Sequence, residues 1–158
     1  MLANYDARFS SPEEFAQFAE DSGEPEQVLA ALGPPLVMAL RRAGRTQEAE
    51  AHLQAIEQAH AKLAKGAARW LDTVLLELDI AALRRDHERA AKLVARLPEF
   101  GWPYALLRSD PTVLGLLRED PLYDEIRELP AVQEVLAPIL RRLAAERAQI
   151  LTARAASS

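Results

Sequence analysis

Cysteine is absent from the chain, which removes disulfides, thiol catalysis and Cys-ligated zinc together and leaves the redox compartment open. Aromatic residues make up only 6% of a chain that is 49% hydrophobic, so its core falls to Ala and Leu, the composition of helical bundles. The same apolar fraction excludes disorder as a description of the whole. The 19 Lys and Arg are outnumbered by 24 Asp and Glu, for a net charge of −5 and a pI near 5.3. That balance lacks the basic surplus on which phosphate binding depends, so no nucleic-acid partner is expected. No apolar run approaches the length of a membrane span, and MLANYDARFSS at the start has no apolar signal core. If Met1 is the native start, a cytoplasmic protein without a membrane partner is expected.

Motifs that carry chemistry are missing as well. There is no Gly-rich phosphate loop, no nucleophile elbow and no Asp-rich calcium loop. His52 and His60 lie eight residues apart on one helix, where four would set two ligands side by side, and His87-Glu88 lacks the second histidine of a zinc-protease signature. All three histidines are expected at the surface. Glu77 and Asp79, two apart, point in different directions and make no carboxylate pair. No catalytic residue, metal ligand or cofactor is therefore assigned.

What the chain does contain is a helix-turn-helix hairpin centred on 39–53, ALRRAGRTQEAEAHL. Leu36, Val37 and Leu40 recur at helical spacing before Gly44, and Ala49, Leu53 and Ile56 after it, so two amphipathic helices meet at a short polar turn. Gly44 suits the left-handed residue that closes a helix, and Arg41 and Arg42 suit the negative end of its dipole. Thr46 is expected to cap the next helix, with Glu48 in its first turn. A second copy is read at 82–97, ALRRDHERAAKLVARL. Its Ala-Leu-Arg-Arg repeats 39–42, Asp86 supplies the cap, and Ala90, Leu93, Val94 and Leu97 form the inner face, with a turn shorter by two residues and without glycine.

Taken in order, residues 1–10 read as an irregular arm. Ser11-Pro12-Glu13-Glu14 starts a helix, with Ser11 as cap, Pro12 at the first position and Glu14 closing a capping box. Phe15, Phe18 and Ala19 are expected inside, and Ser22-Gly23 ends the element. A short helix over 26–32 is expected to break at Gly33-Pro34-Pro35, because adjacent prolines remove two donors; a kink in one longer helix is the alternative. The hairpin's second helix runs from Gln47 to about Lys65, closed by Gly66. Over 67–85, Trp70, Leu71, Val74, Leu75, Leu78, Ala81 and Ala82 line one broad face. Asp110-Pro111 and Asp120-Pro121 each cap a very short helix, with Val113, Leu114, Leu117, Tyr123 and Ile126 inside. The last helix, 131–153, spaces Val132, Leu136, Ile139, Leu143 and Ile150 three or four apart, apart from an interruption at Glu146. Pro138 kinks it or marks its true start, and 154–158 is a tail.

The small-then-large pairs Ala49/Leu53 and Ala90/Val94, 41 residues apart, resemble the second helix of the tetratricopeptide repeat. DPTVLGLLREDPLYDEI at 110–126, entered through Gly101-Trp102 and Tyr104, is similar to the segment that closes such arrays in many bacterial proteins. This resemblance spans about residues 35–129. It implies an all-α fold in a single domain, 11–153. Antiparallel hairpins at about 35–65 and 67–98 stack as a right-handed superhelix, followed by a closing segment, 101–129, and a terminal helix that seals the open end. It implies a non-catalytic module that binds a protein or peptide. The alternative is a regulatory or sensory domain of a larger bacterial signalling protein, of the transcription-activator or cyclase type. First helices line the concave surface of such arrays, so Arg69, Asp72, Glu77 and Arg84 are candidates for partner contact, with Trp102 as a candidate anchor. A solvated helix face, and a Trp packed on the core, are the plainer assignments. The terminal helix is the candidate interface of a homodimer.

Overall fold

The computed structural model describes residues 12–67, 71–100 and 120–156, and every regular element among them is helical. The helices are α1 (Pro12–Asp21), α2 (Pro25–Arg42), α3 (Thr46–Ala67), α4 (Leu71–Arg84), α5 (His87–Arg96), α6 (Asp124–Arg127) and α7 (Pro130–Ala156), with short 3-10 turns at Leu97–Phe100 and Pro121–Tyr123. The chain divides into two compact units, Met1–Leu93 and Val94–Ser158. The expected arm, Ser11, Arg69, Trp70, Trp102, Asp110-Pro111, Val113, Leu114 and Leu117 lie outside the described residues.

In the first unit α2 and α3 pack against each other along their length, α4 packs on both, and α1 lies on α2. The expected break at Gly33-Pro34-Pro35 is corrected: α2 runs unbroken from Pro25 to Arg42 with both prolines inside it. Pro34 and Pro35 leave the carbonyls of Ala30 and Ala31 without helical donors, but Ala31 is exposed and Ala30 half-buried, so water can serve them. Gly33 is buried at the contact with α3. A Cβ there would stand 2.6 Å from Ile56 Cγ1 and 2.7 Å from its Cδ1. The close approach of the two helices, set by residues 23 apart in sequence, favours the continuous helix.

Burial follows the inner faces read from spacing, with additions. Phe15, Ala19, Val37, Leu40, Ala49, Leu53 and Ile56 are buried. Phe18 is not: it stands 46% exposed on the outer side of α1. Besides Val74, Leu78 and Ala81, helix α4 buries Leu76, Ile80 and Leu83, so it is apolar on two faces and central to its unit.

The two hairpin turns are built alike. After α2, Gly44 takes φ 75°; its N–H bonds Arg41 O at 3.1 Å, and the Arg45 N–H bonds Leu40 O at 2.9 Å. After α4, Arg85 takes φ 56°; its N–H bonds Ala82 O at 3.0 Å, and the Asp86 N–H bonds Ala81 O at 2.9 Å. Both are Schellman closures with the left-handed residue in the same place. The register between them is therefore 41 residues, which pairs Gly44 with Arg85 and Ala49 with Ala90. The reading of a second turn shortened by two residues is corrected, because the repeated Ala-Leu-Arg-Arg lies two residues out of this register. Asp86 caps α5 as expected, its Oδ1 accepting the Arg89 N–H at 3.1 Å. Thr46 is the first residue of α3, one place inside the flanking position that Arg45 takes.

In the second unit Asp120 caps the turn at Pro121 by accepting the Leu122 N–H at 2.8 Å. Tyr123, Ile126, Val132 and Leu136 are buried. Helix α7 passes through Pro138 without ending and extends to Ala156. Ile150, expected in its inward stripe, is 57% exposed.

Candidate interaction surface

Arg84, near the end of α4, reaches across to α3. Its Nε and Nη2 donate to the two carboxylate oxygens of Glu57 at 2.8 and 2.9 Å, and its Nη1 donates to Glu50 Oε1 at 2.6 Å. Gln54 Nε2 adds a longer bond to that same oxygen at 3.3 Å. The two carboxylates lie two turns apart on α3, which lets one planar guanidinium hold both. Hydrogen bonding from Arg84 holds Glu57 and Glu50 below the ordinary carboxylate value, against some desolvation. The same bonds raise Arg84, with Glu57 the larger cause.

Glu77 is likewise engaged within its unit, accepting from Arg89 Nη2 on α5 at 2.9 Å. Arg41, at the end of α2, donates to Leu83 O at 2.7 Å, so a cation sits at the negative end of α4. Arg84 and Glu77 thus act as cross-links between helices. Asp72 belongs to α4, while Arg69 and Trp102 lie outside the described residues.

The surface expectation for the histidines is corrected at His52, which is 6% exposed and meets the Phe15 ring edge-on at 5.3 Å between centroids. The Nε2 of His60 is also buried and has no hydrogen-bond partner; His87 is exposed. Among the described residues no group of three His, Asp or Glu is placed to hold a metal, and no helix is long and apolar enough to cross a membrane.

Among the described residues, the large apolar side chains that face water are Phe18 at 46%, Ile150 at 57% and Leu151 at 56%. Sequence reading assigned Phe18 and Ile150 to the interior and passed over Leu151. From Arg141 to Ala155 no residue of α7 is buried, and only Leu143 and Glu146 are half-buried. Arg142 pairs with Glu146 within the helix at 3.0 Å. Arg147, Ile150, Leu151 and Arg154 fall at i, i+3, i+4 and i+7, which puts them on one face. That spacing was legible in the sequence; its exposure was not.

No protein-family model, no curated protein and no solved structure matches this chain.

Proposed function

We propose that the chain is a non-catalytic protein-binding module of stacked helical hairpins in the tetratricopeptide manner, and that the distal half of α7 is its contact element. One observation carries the contact assignment. A helical segment of this length with no packed face is marginal in water, because most helical stability comes from burying an amphipathic side. Here such a segment displays adjacent Ile150 and Leu151, and exposed apolar surface of that kind marks interaction sites. The hairpin reading is supported by the two turns of identical hydrogen-bond pattern in a 41-residue register.

The test is affinity capture of partners from the source lysate on the wild-type chain, on Ile150→Asp/Leu151→Asp, and on a quadruple Ala variant at Arg69, Asp72, Glu77 and Arg84. A protein held by wild type and lost by a still-helical Ile150→Asp/Leu151→Asp variant is the expected result. Loss by the quadruple variant alone would move the contact to the α4 face. Capture by none, in a chain that does not associate with itself, would overturn the reading.

A further inference from the structure

We propose that the Leu143–Leu151 face of α7 docks an acidic amphipathic helix of another protein, with a carboxylate of that helix received by Arg147. This rests on the reading of distal α7 as a contact element and adds the chemistry of what it contacts.

Leu143, Arg147, Ile150 and Leu151 fall at i, i+4, i+7 and i+8 on α7, so they share one face over about 12 Å of helix. Arg147, Ile150 and Leu151 are exposed and Leu143 is half-buried. Arg147 therefore stands inside the apolar stripe, with Leu143 one turn before it and Ile150 and Leu151 one turn after. The neighbouring Glu146 is engaged by Arg142, whose Nε donates to its Oε1 at 3.0 Å. A surface that covers this stripe takes the Arg147 guanidinium out of water, which is favourable only if it brings an acceptor of opposite charge. The complementary element is thus a second amphipathic helix whose apolar stripe carries an Asp or Glu opposite Arg147. One charge inside an apolar stripe trades affinity for choice of partner, as a single polar core position does in a coiled coil.

The charge balance sets the sign of the partner. Residues 141–156 hold four arginines and one glutamate in a chain of net charge −5. Two such segments side by side repel, whereas an acidic helix is attracted. A lipid surface fits less well. Helices that lie on membranes keep their cations on the polar face and bring Trp or Phe to the apolar one, whereas Arg147 interrupts the apolar side and residues 130–156 contain no aromatic.

The test is selection of phage-displayed helical peptides, randomised along one face, on the full chain as wild type, Arg147→Glu and Ile150→Asp/Leu151→Asp, with circular dichroism to establish folding of each. Wild type should enrich peptides whose apolar stripe holds one Asp or Glu. Arg147→Glu should enrich Lys or Arg at that same position, and Ile150→Asp/Leu151→Asp should enrich none. A synthetic peptide of the wild-type-selected sequence should bind Arg147→Glu more than about tenfold less tightly, and its affinity for wild type should fall as salt rises. Selected peptides without an acid in the stripe, an acidic peptide held equally by Arg147→Glu, or no enrichment at all would overturn the proposal. If no acidic peptide is selected but Ile150→Asp/Leu151→Asp still loses a partner captured from lysate, the acidic-helix assignment falls while distal α7 stands as the contact element. Binding of wild type to phosphatidylserine vesicles in place of any peptide would overturn the proposal in favour of a lipid surface.

Discussion

Helices α3 and α7 are the longest in the described residues, at 22 and 27 residues, yet they meet different fates. Helix α3 buries Ala49, His52, Leu53, Ile56 and Ala59, packs against α2 and α4, and ties its outer carboxylates Glu50 and Glu57 to Arg84. Helix α7 buries Val132 and Leu136 in its first two turns and nothing after Leu136. Apolar content does not separate them, because α7 also carries Leu140, Leu143, Ile150 and Leu151. The difference is a neighbour: spacing makes a helix amphipathic, but only a second element turns its apolar side into a core.

The largest expected effect sharpens this contrast directly. Leu53→Ala, at a fully buried site, should cost about 2–5 kcal/mol in urea unfolding. Ile150→Ala, at an exposed site, should stay within about 0.5 kcal/mol. Equal costs would erase the difference between the helices.

Next comes the close approach that makes α3 a core helix. Gly33→Ala inserts a methyl where Ile56 already stands and should cost about 1–3 kcal/mol. Adding Ile56→Ala, which clears the space, should make Gly33→Ala cheaper in a double-mutant cycle.

A smaller effect separates the two turns. Gly44→Ala places a Cβ at φ 75° and should destabilise by about 1 kcal/mol, while Arg85→Gly relieves the same conformation at φ 56° and should be neutral to stabilising. The thermal midpoint should fall in Gly44→Ala and should not fall in Arg85→Gly.

The smallest effect concerns the clamp on α3. Arg84→Met should cost under about 1 kcal/mol at neutral pH, since the ion pair is substantially solvated. Glu57 and Glu50 are held below their ordinary value of 4.5 in the folded chain, chiefly by hydrogen bonds from Arg84. Their contribution is thus fully present above 4.5 and lost as pH falls through their lowered folded values. Wild type and Arg84→Met should converge in thermal midpoint as pH drops below 4.5; a gap that widens would contradict the clamp.

Features that depend on local chemistry were legible in the sequence. Pro12 at a helix start, Gly44 as a closing residue, Asp86 and Asp120 as caps, and the buried set Ala90, Leu93, Val94 and Leu97 all follow from one or two turns of neighbouring residues. What was not legible depends on distant ones. Helix α2 continues through Pro34 and Pro35 where Gly33 lies close against Ile56, 23 residues further on. The repeat of Ala-Leu-Arg-Arg misled by two residues, because the closing left-handed residue and the small Ala after the turn fix register, not the identity of surface arginines. Of the candidate contacts, Glu77 and Arg84 looked available on their own helix, and only the folded chain brings Arg89, Glu50 and Glu57 to them. Phe18 matched the inner spacing of α1, and nothing local marked it as outward.

The most direct test is amide hydrogen exchange along α7 over a dilution series. Protection across 132–136 should hold at every concentration, while amides across 144–156 of the isolated chain should exchange fast throughout, as a helical segment without a packed face requires. Protection of 144–156 equal to that of 132–136 would contradict the account.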